Sequence, residues 1–307
     1  MVFDNKGWQT FSYPVNSEGL VKSLIFMNLL FRFLSSVLLF IILWSPKALA
    51  TPLIERLDRF PDWQNLPPIE SAEGDLVYPD WMAGTWEVTS TLIDLVAPLA
   101  PDLVTPGFEG NRPYLDRPVT FLVRFGPQLV KRKLRRFLPV PISVKGDRAD
   151  SVSIVADREF NGSSIARAYL GDSGVVSVTV DPDDPNRQVS AFRGDRQLIS
   201  IVGGRASETP TPDRFAATEL IDQVFRTASG IYFNRVETTT AYQHQTPDGR
   251  SIDTVEGDRV TADRVTADQI TAIYLSPQDP DYFKAKDRPV ALYRYRLDLV
   301  KQSSNYR

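Results

Sequence analysis

His244 is the only histidine in the chain, and there is no cysteine. Imidazole acid–base chemistry therefore has a single candidate. Disulfides, thiolate nucleophiles, iron–sulfur clusters and sites of several imidazoles are excluded. No Gly-x-Ser-x-Gly elbow precedes His244, so a Ser-His-Asp triad lacks its nucleophile. At the end of a long strand pattern, His244 reads as an exposed turn residue. Carboxylate-only hydrolysis stays open through residues such as Glu237, but no spacing singles out a pair of acids. Gly203-Gly204 and Gly107-x-x-Gly110 lack the lysine and the strand-to-helix setting of a phosphate loop. No catalytic residue, metal ligand or cofactor is assigned, and no enzymatic activity is expected.

Two features point to binding instead. The run Lys131-Arg132-Lys133-Leu134-Arg135-Arg136 concentrates positive charge, with Leu129, Val130, Phe137 and Leu138 interleaved at roughly helical spacing. Lys131, Arg132, Lys133, Arg135 and Arg136 form a candidate surface for an anionic membrane or an acidic subunit of a membrane complex. The prolines at 127, 139 and 141 favour the alternative, a solvated loop. The second feature is the strand pattern Ile231–Tyr242, whose two faces both mix polar and apolar residues. A barrel with an occupied interior needs such lining. Trp86, Phe233, Arg235, Glu237, Tyr293 and Tyr295 are accordingly the candidate residues for a small apolar or amphipathic ligand.

The elements that would position these residues follow from patterning. From Phe33 to Trp44 the chain reads FLSSVLLFIILW, after Arg32 and before Ser45-Pro46-Lys47-Ala48-Leu49-Ala50. That is a secretory signal pattern with cleavage after Ala50. As a helix it spans roughly 18 Å, short of the hydrocarbon thickness of about 30 Å. An uncleaved anchor reaching back to Leu24 is the alternative. Residues 1–26 are polar, and Met27 is the expected start of translation. Removing 1–50 leaves 31 basic and 36 acidic side chains from the 35 and 38 of the whole chain, a balance that argues against nucleic acid as partner.

Thr51-Pro52 caps a short amphipathic helix that Pro61 stops. Residues 61–141 hold 12 prolines, which predicts extended chain wrapped over a surface. Beyond 150, period-two alternation predicts strands at Val176–Val180, Gln188–Phe192, Leu198–Val202, Ile231–Tyr242, Ile270–Leu275 and Ala291–Leu299. Trp86–Leu92, Thr120–Phe125 and Val152–Ala156 add three more. Turns are predicted at 181–186, Gly203-Gly204 and Pro247-Asp248-Gly249. Asn161 can cap a helix that Gly171 ends, and a second helix is placed near Leu220–Phe225. The tandem Arg259–Asp263 and Arg264–Asp268 (RVTAD twice) reads as a duplication in a hairpin tip.

Gly84-Thr85-Trp86 at the head of a strand resembles the Gly-x-Trp signature of the lipocalin and calycin superfamily. That resemblance implies an arginine from the last strand, Arg294 or Arg296, packed over Trp86. Longer matches run through Tyr78–Trp86, Pro106-Gly107-Phe108, Asp157–Gly162 and Ile165–Gly171. These resemble an uncharacterised domain family of cyanobacteria and plant plastids. The resemblance implies an address in the thylakoid lumen or periplasm and brings no activity with it.

The resulting expectation is a signal peptide at 1–50, a helix and linker at 51–82, and one domain at 83–307. The fold class is mainly β, an antiparallel lipocalin-like barrel with a proline-rich N-terminal wrap and one or two short helices. The expected function is an exported, non-enzymatic protein that holds a lipid, pigment or quinone-like molecule. The alternative is an assembly factor for a photosynthetic membrane complex, acting through its surface.

Overall fold

The computed structural model describes residues 53–105, 107–130, 151–245 and 263–303. The signal segment, its cleavage point, the basic run 131–136, the turn at 247–249 and most of the first RVTAD copy lie outside the described residues.

The protein is mainly β. Its strands are β1 (Glu70–Ser71), β2 (Val77–Tyr78), β3 (Gly84–Val96), β4 (Pro118–Val130), β5 (Ser151–Ala156) and β6 (Val175–Val180). They continue as β7 (Arg187–Phe192), β8 (Arg196–Thr211), β9 (Arg214–Thr227), β10 (Gly230–Gln245), β11 (Arg264–Leu275) and β12 (Ala291–Lys301). Eleven of them pair antiparallel in the order β2-β5-β4-β3-β12-β11-β10-β9-β8-β7-β6, and β1 joins β8. The sheet curls into a half-barrel. Every stretch read as a strand from the sequence lies within one.

The curl is open, since β6 and β2 stand at opposite ends of the path. A helix fills the gap. Its 13 residues, Arg158–Leu170, pack against β4 and β6, and it is called α3 after α1 (Leu53–Asp58) and α2 (Phe108–Asn111). The side chains of α3 hydrogen-bond to backbone that the open curl leaves without a neighbouring strand. Leu122 N donates to Ser164 Oγ at 3.0 Å, and Arg124 N donates to Asn161 Oδ1 at 2.6 Å. On the other side Val180 N donates to Glu159 Oε1 at 2.8 Å. Unpaired strand edges are a liability in any open sheet, and this helix covers that of β6 and the stretch of β4 before Phe125 that β5 leaves unpaired. Asn161 is thus a latch within the helix, not its cap. Asp157 caps it, accepting from Phe160 N at 3.0 Å, and Gly171 ends it at φ 75°.

Three local expectations differ from the structure. Leu220–Phe225 is β9, a central strand paired on both sides by β8 and β10, and that pairing overrides local helix propensity. Gly203-Gly204 lies within β8, at a bulge, where β1 crosses. A Cβ on Gly204 would sit 2.4 Å from Ile69 Cδ1, so the glycine provides room for the crossing chain. The second RVTAD copy opens β11 and pairs with both neighbours.

Both faces of the sheet are covered. Outside, α1 and the chain after it lay Leu57 and Trp63 on Ile270, Ala272, Tyr274 and Leu292. Inside, Met82, Trp86, Val123, Phe125, Leu297 and Leu299 form the main core.

Candidate functional site

On the inner face, between α3 and the concave sheet, lies a cavity of about 370 Å³. Its apolar walls include Val88, Phe121, Val123, Phe125, Leu297 and Leu299. Tyr78, Tyr169, Tyr242 and Tyr295 add four phenols, and Ser90, Asn161, Gln269 and Thr271 supply the remaining polar atoms. No charged side chain lines it. Three other indentations are larger: those of about 440 and 530 Å³ are more open and carry Arg294, Arg296 and Asp268, or Asp75, Asp157 and Arg158, and one of about 410 Å³ is more enclosed and carries Arg56, Arg59 and Asp62.

Alternation explains the lining. On β12, Tyr295, Leu297 and Leu299 share the inner face; on β11, Gln269 and Thr271 do. The register sets Gln269 directly opposite Tyr295, and Thr271 opposite Tyr293. Helix α3 closes the cavity with Asn161, Ile165 and Tyr169, one turn apart.

Several of these polar groups are committed. Asn161 binds the Arg124 backbone twice. Ser90 lies near the Tyr169 phenol, and Thr240 and Tyr78 lie near that of Tyr242. Gln269 Oε1 accepts from Thr240 at 3.2 Å, which leaves its amide N–H groups free. The hydroxyls of Thr271 and Tyr295 have no hydrogen-bond partner among the described residues. Burial pushes the Tyr242 phenol up to about 12 and raises those of Tyr78 and Tyr295 as well. At neutral pH these groups are therefore neutral donors. Charge is kept out of this space.

The candidate residues named from the sequence divide between the two faces. Tyr295 lines the cavity, and Tyr293 lies beside it, packed on Phe108. Trp86 is fully buried in the adjoining core, and its Nε1 donates to Met82 O at 2.8 Å. Over its ring sits Lys301 Nζ at 5.1 Å, where an arginine was expected. Lys301 is directly opposite Trp86 in the register, whereas Arg294 faces outward to Asp268 at 3.0 Å. A Cβ on Gly84 would lie 3.0 Å from Lys301 Cε, so glycine there leaves the lysine stem its place.

Phe233, Arg235 and Glu237 are on the outer face, away from the cavity. The inward face of β10 is the other one, ending at Tyr242. Arg235 pairs with Asp222 at 2.7 Å. Glu237 is fully buried under α1, where its two oxygens accept from Arg56 Nε at 2.8 Å and Nη2 at 2.9 Å. Tyr274 and Thr239 donate to it as well, at 2.8 and 2.9 Å. Burial pushes the Tyr274 phenol up, and the Glu237 charge pushes it further. Burial works against the Arg56 charge, but the carboxylate outweighs it and the guanidinium stays held as a cation. This is a structural ion pair.

His244 is not an exposed turn residue. It belongs to β10, stacks on Trp81 with centroids 5.0 Å apart, and its Nε2 is 2.6 Å from Asp263 Oδ1. Among the described residues no cluster of His, Asp and Glu is placed to hold a metal ion. None of their helices is long and apolar enough to cross a membrane.

Sequence reasoning missed Gln269, Thr271, Tyr78, Tyr169 and Tyr242 as cavity residues. The alternation around Gln269 and Thr271 was visible, but which face of β11 turns inward depends on the direction of the curl.

A curled antiparallel sheet with a helix across its opening, and a half-open uncharged aromatic pocket beneath it, defines a β half-barrel protein. The chain belongs to the family described as Domain of unknown function (DUF6816), which matches residues 70–303. No curated protein and no solved structure matches the chain. The matched span holds every residue that lines the cavity, and α1 lies before it.

Proposed function

We propose that this protein binds a small apolar or amphipathic molecule in the cavity under α3. The observation that carries this reading is the cavity itself. Its volume of about 370 Å³ is within the range of roughly 300–1,000 Å³ typical of ligand sites. It combines apolar walls with a few convergent polar groups, the pattern such sites share. The apolar stretch Phe33–Trp44 supports export as the setting.

The test is native mass spectrometry and solvent extraction of the full chain purified from its own cell, beside the variant Leu297→Trp, which fills the cavity. A small molecule carried by the wild type and lost from a folded Leu297→Trp is the expected result. A wild type that carries nothing, together with a variant more stable by 1 kcal/mol or so from filled space, would sink the reading.

A further inference from the structure

We infer that the molecule held in this cavity is uncharged and presents a hydrogen-bond-accepting oxygen to Gln269, Thr271 and Tyr295. This rests on the binding reading above and adds the chemical class of the ligand. Three observations support it together. The lining carries no acid and no base, and the nearby guanidinium groups are already engaged: Arg158 with Glu219 and Asp75 at 2.8 and 3.1 Å, and Arg205 with Glu219 at 2.9 Å. A carboxylate or an ammonium placed there would be a buried charge without a counterion, which is strongly unfavourable. Fatty-acid anions and amines whose charged end would have to lie among these walls are thereby disfavoured.

A plain hydrocarbon is excluded by the second observation. Donors of the lining without a partner include the Gln269 amide N–H groups and the Thr271 and Tyr295 hydroxyls, whereas Asn161 is taken up by the Arg124 backbone. Donors left unpaired against an apolar ligand incur their full desolvation cost. A site built to hydrogen-bond a ligand oxygen therefore rejects the analogue that lacks it.

The third observation is where those donors sit. Gln269 and Tyr295 are a directly opposed cross-strand pair, and Thr271 is the next inward residue on β11. Opposed Cβ atoms on one face are about 5 Å apart, so these three side chains rise from one area of the inner wall. A carbonyl or ether oxygen at one end of a flat or aliphatic body matches this layout. The rings of Tyr78, Phe121, Phe125, Tyr169 and Tyr242 surround the body.

The experiment is titration calorimetry of the full chain at neutral pH with probes that share a skeleton and differ in their polar end. Acetylnaphthalene, naphthoate and ethylnaphthalene form one set; a methyl ketone and the carboxylate of the same ten-carbon chain form the other. The ketones are expected to bind at least tenfold tighter than the carboxylates, a ratio of about 1.4 kcal/mol. Tyr295→Phe should weaken the ketones about fivefold, one lost hydrogen bond. It should tighten ethylnaphthalene, which no longer desolvates an unpaired hydroxyl, and leave the melting temperature unchanged or raised. Carboxylates that bind as well as ketones, or ketone affinity indifferent to both Tyr295→Phe and Gln269→Leu, would overturn the class while leaving the binding function standing. The molecule extracted from the purified protein decides independently: a neutral oxygen-bearing compound supports the inference, and an acid or amine overturns it. Failure of every probe, with nothing extracted, would bring down the binding reading and this inference with it.

Discussion

The two faces of one sheet are finished in opposite ways. On the outer face, the buried carboxylate of Glu237 accepts from Arg56, Tyr274 and Thr239, and the Thr239 hydroxyl is also hydrogen-bonded to that of Thr218, at 2.7 Å. Trp63 stacks over Arg56 at 4.2 Å, and its Nε1 donates to Arg56 O at 2.8 Å. On the inner face there is a void, with donors that have no partner. Among the described residues, the two buried side-chain atoms without any hydrogen bond, Arg205 Nε and Asn234 Oδ1, also belong to residues of the inner side. Native proteins satisfy nearly all buried polar groups. One face conforms and the other departs from this, although the same strands supply both. Polarity left open beside empty space is what a binding site needs before its ligand arrives. Polarity fully closed is what holds a strap to a sheet.

The sharpest break in this comparison is Arg56→Met, which leaves Glu237 buried without its cation. Removing one partner of a buried pair costs about 3–5 kcal/mol, so the chemical-denaturation midpoint should fall steeply. Ligand affinity, measured while the variant is still folded, should hardly move, because Arg56 is on the far side of the sheet. A loss below about 1 kcal/mol would mean that the outer cluster is not the anchor described here.

Alkaline pH reads the buried phenols next, Tyr274 on the outer face and Tyr78 and Tyr242 on the inner. The unfolded chain loses its phenolic protons near pH 10, while burial holds Tyr242 to about 12 and Tyr78 higher than usual. Between those values the unfolded state binds fewer protons than the native one, so stability falls as pH rises, and below about 10 these groups have no effect. The inner phenols should contribute to this limb, with a slope of about 1.4 kcal/mol per pH unit for each group. Denaturation at a series of alkaline pH values checks this against Tyr242→Phe, which should flatten the limb. An unchanged limb would remove Tyr242 from the account.

What could be read in advance follows the same division. Strands were legible because half-buried sheets alternate, and Val176–Val180 and Ala291–Leu299 show that period plainly. The helix at Ile165–Leu170 was legible from its terminating glycine. Its role was not, since Asn161, Ser164 and Glu159 seal strand edges that only the open curl creates. The pairing of Arg56 with Glu237 joins positions 181 residues apart, and nothing local in either segment announces it. Phe233, Arg235 and Glu237 were assigned to the right strand and the wrong face, because period two gives two faces without saying which one curls inward. Gly203-Gly204 shows a related limit. A glycine pair signals close approach or a turn, and only the path of Ile69–Ser71 decides between them.

The smallest effect is also the cleanest comparison, since it makes the same chemical change once on each face. Thr239→Val removes a hydroxyl bonded to both Glu237 and Thr218, leaving buried acceptors short of a donor; about 1–3 kcal/mol of stability should be lost. Thr271→Val removes a hydroxyl that has no partner, so in the ligand-free protein the same substitution should be nearly neutral or slightly stabilising. Both residues are in long strands in the middle of the sheet, and β-branched valine suits either position. Backbone propensity therefore cancels between the two variants, and what remains is the difference between a hydroxyl in use and one held in reserve. With an oxygen-bearing ligand bound, the order should narrow, because Thr271→Val then loses a contact that the free protein never had. Paired melting curves of both variants, with and without ligand, read this directly. Equal losses in the ligand-free state would mean that the inner hydroxyl is already engaged, and the contrast between the faces would then rest on the cavity alone.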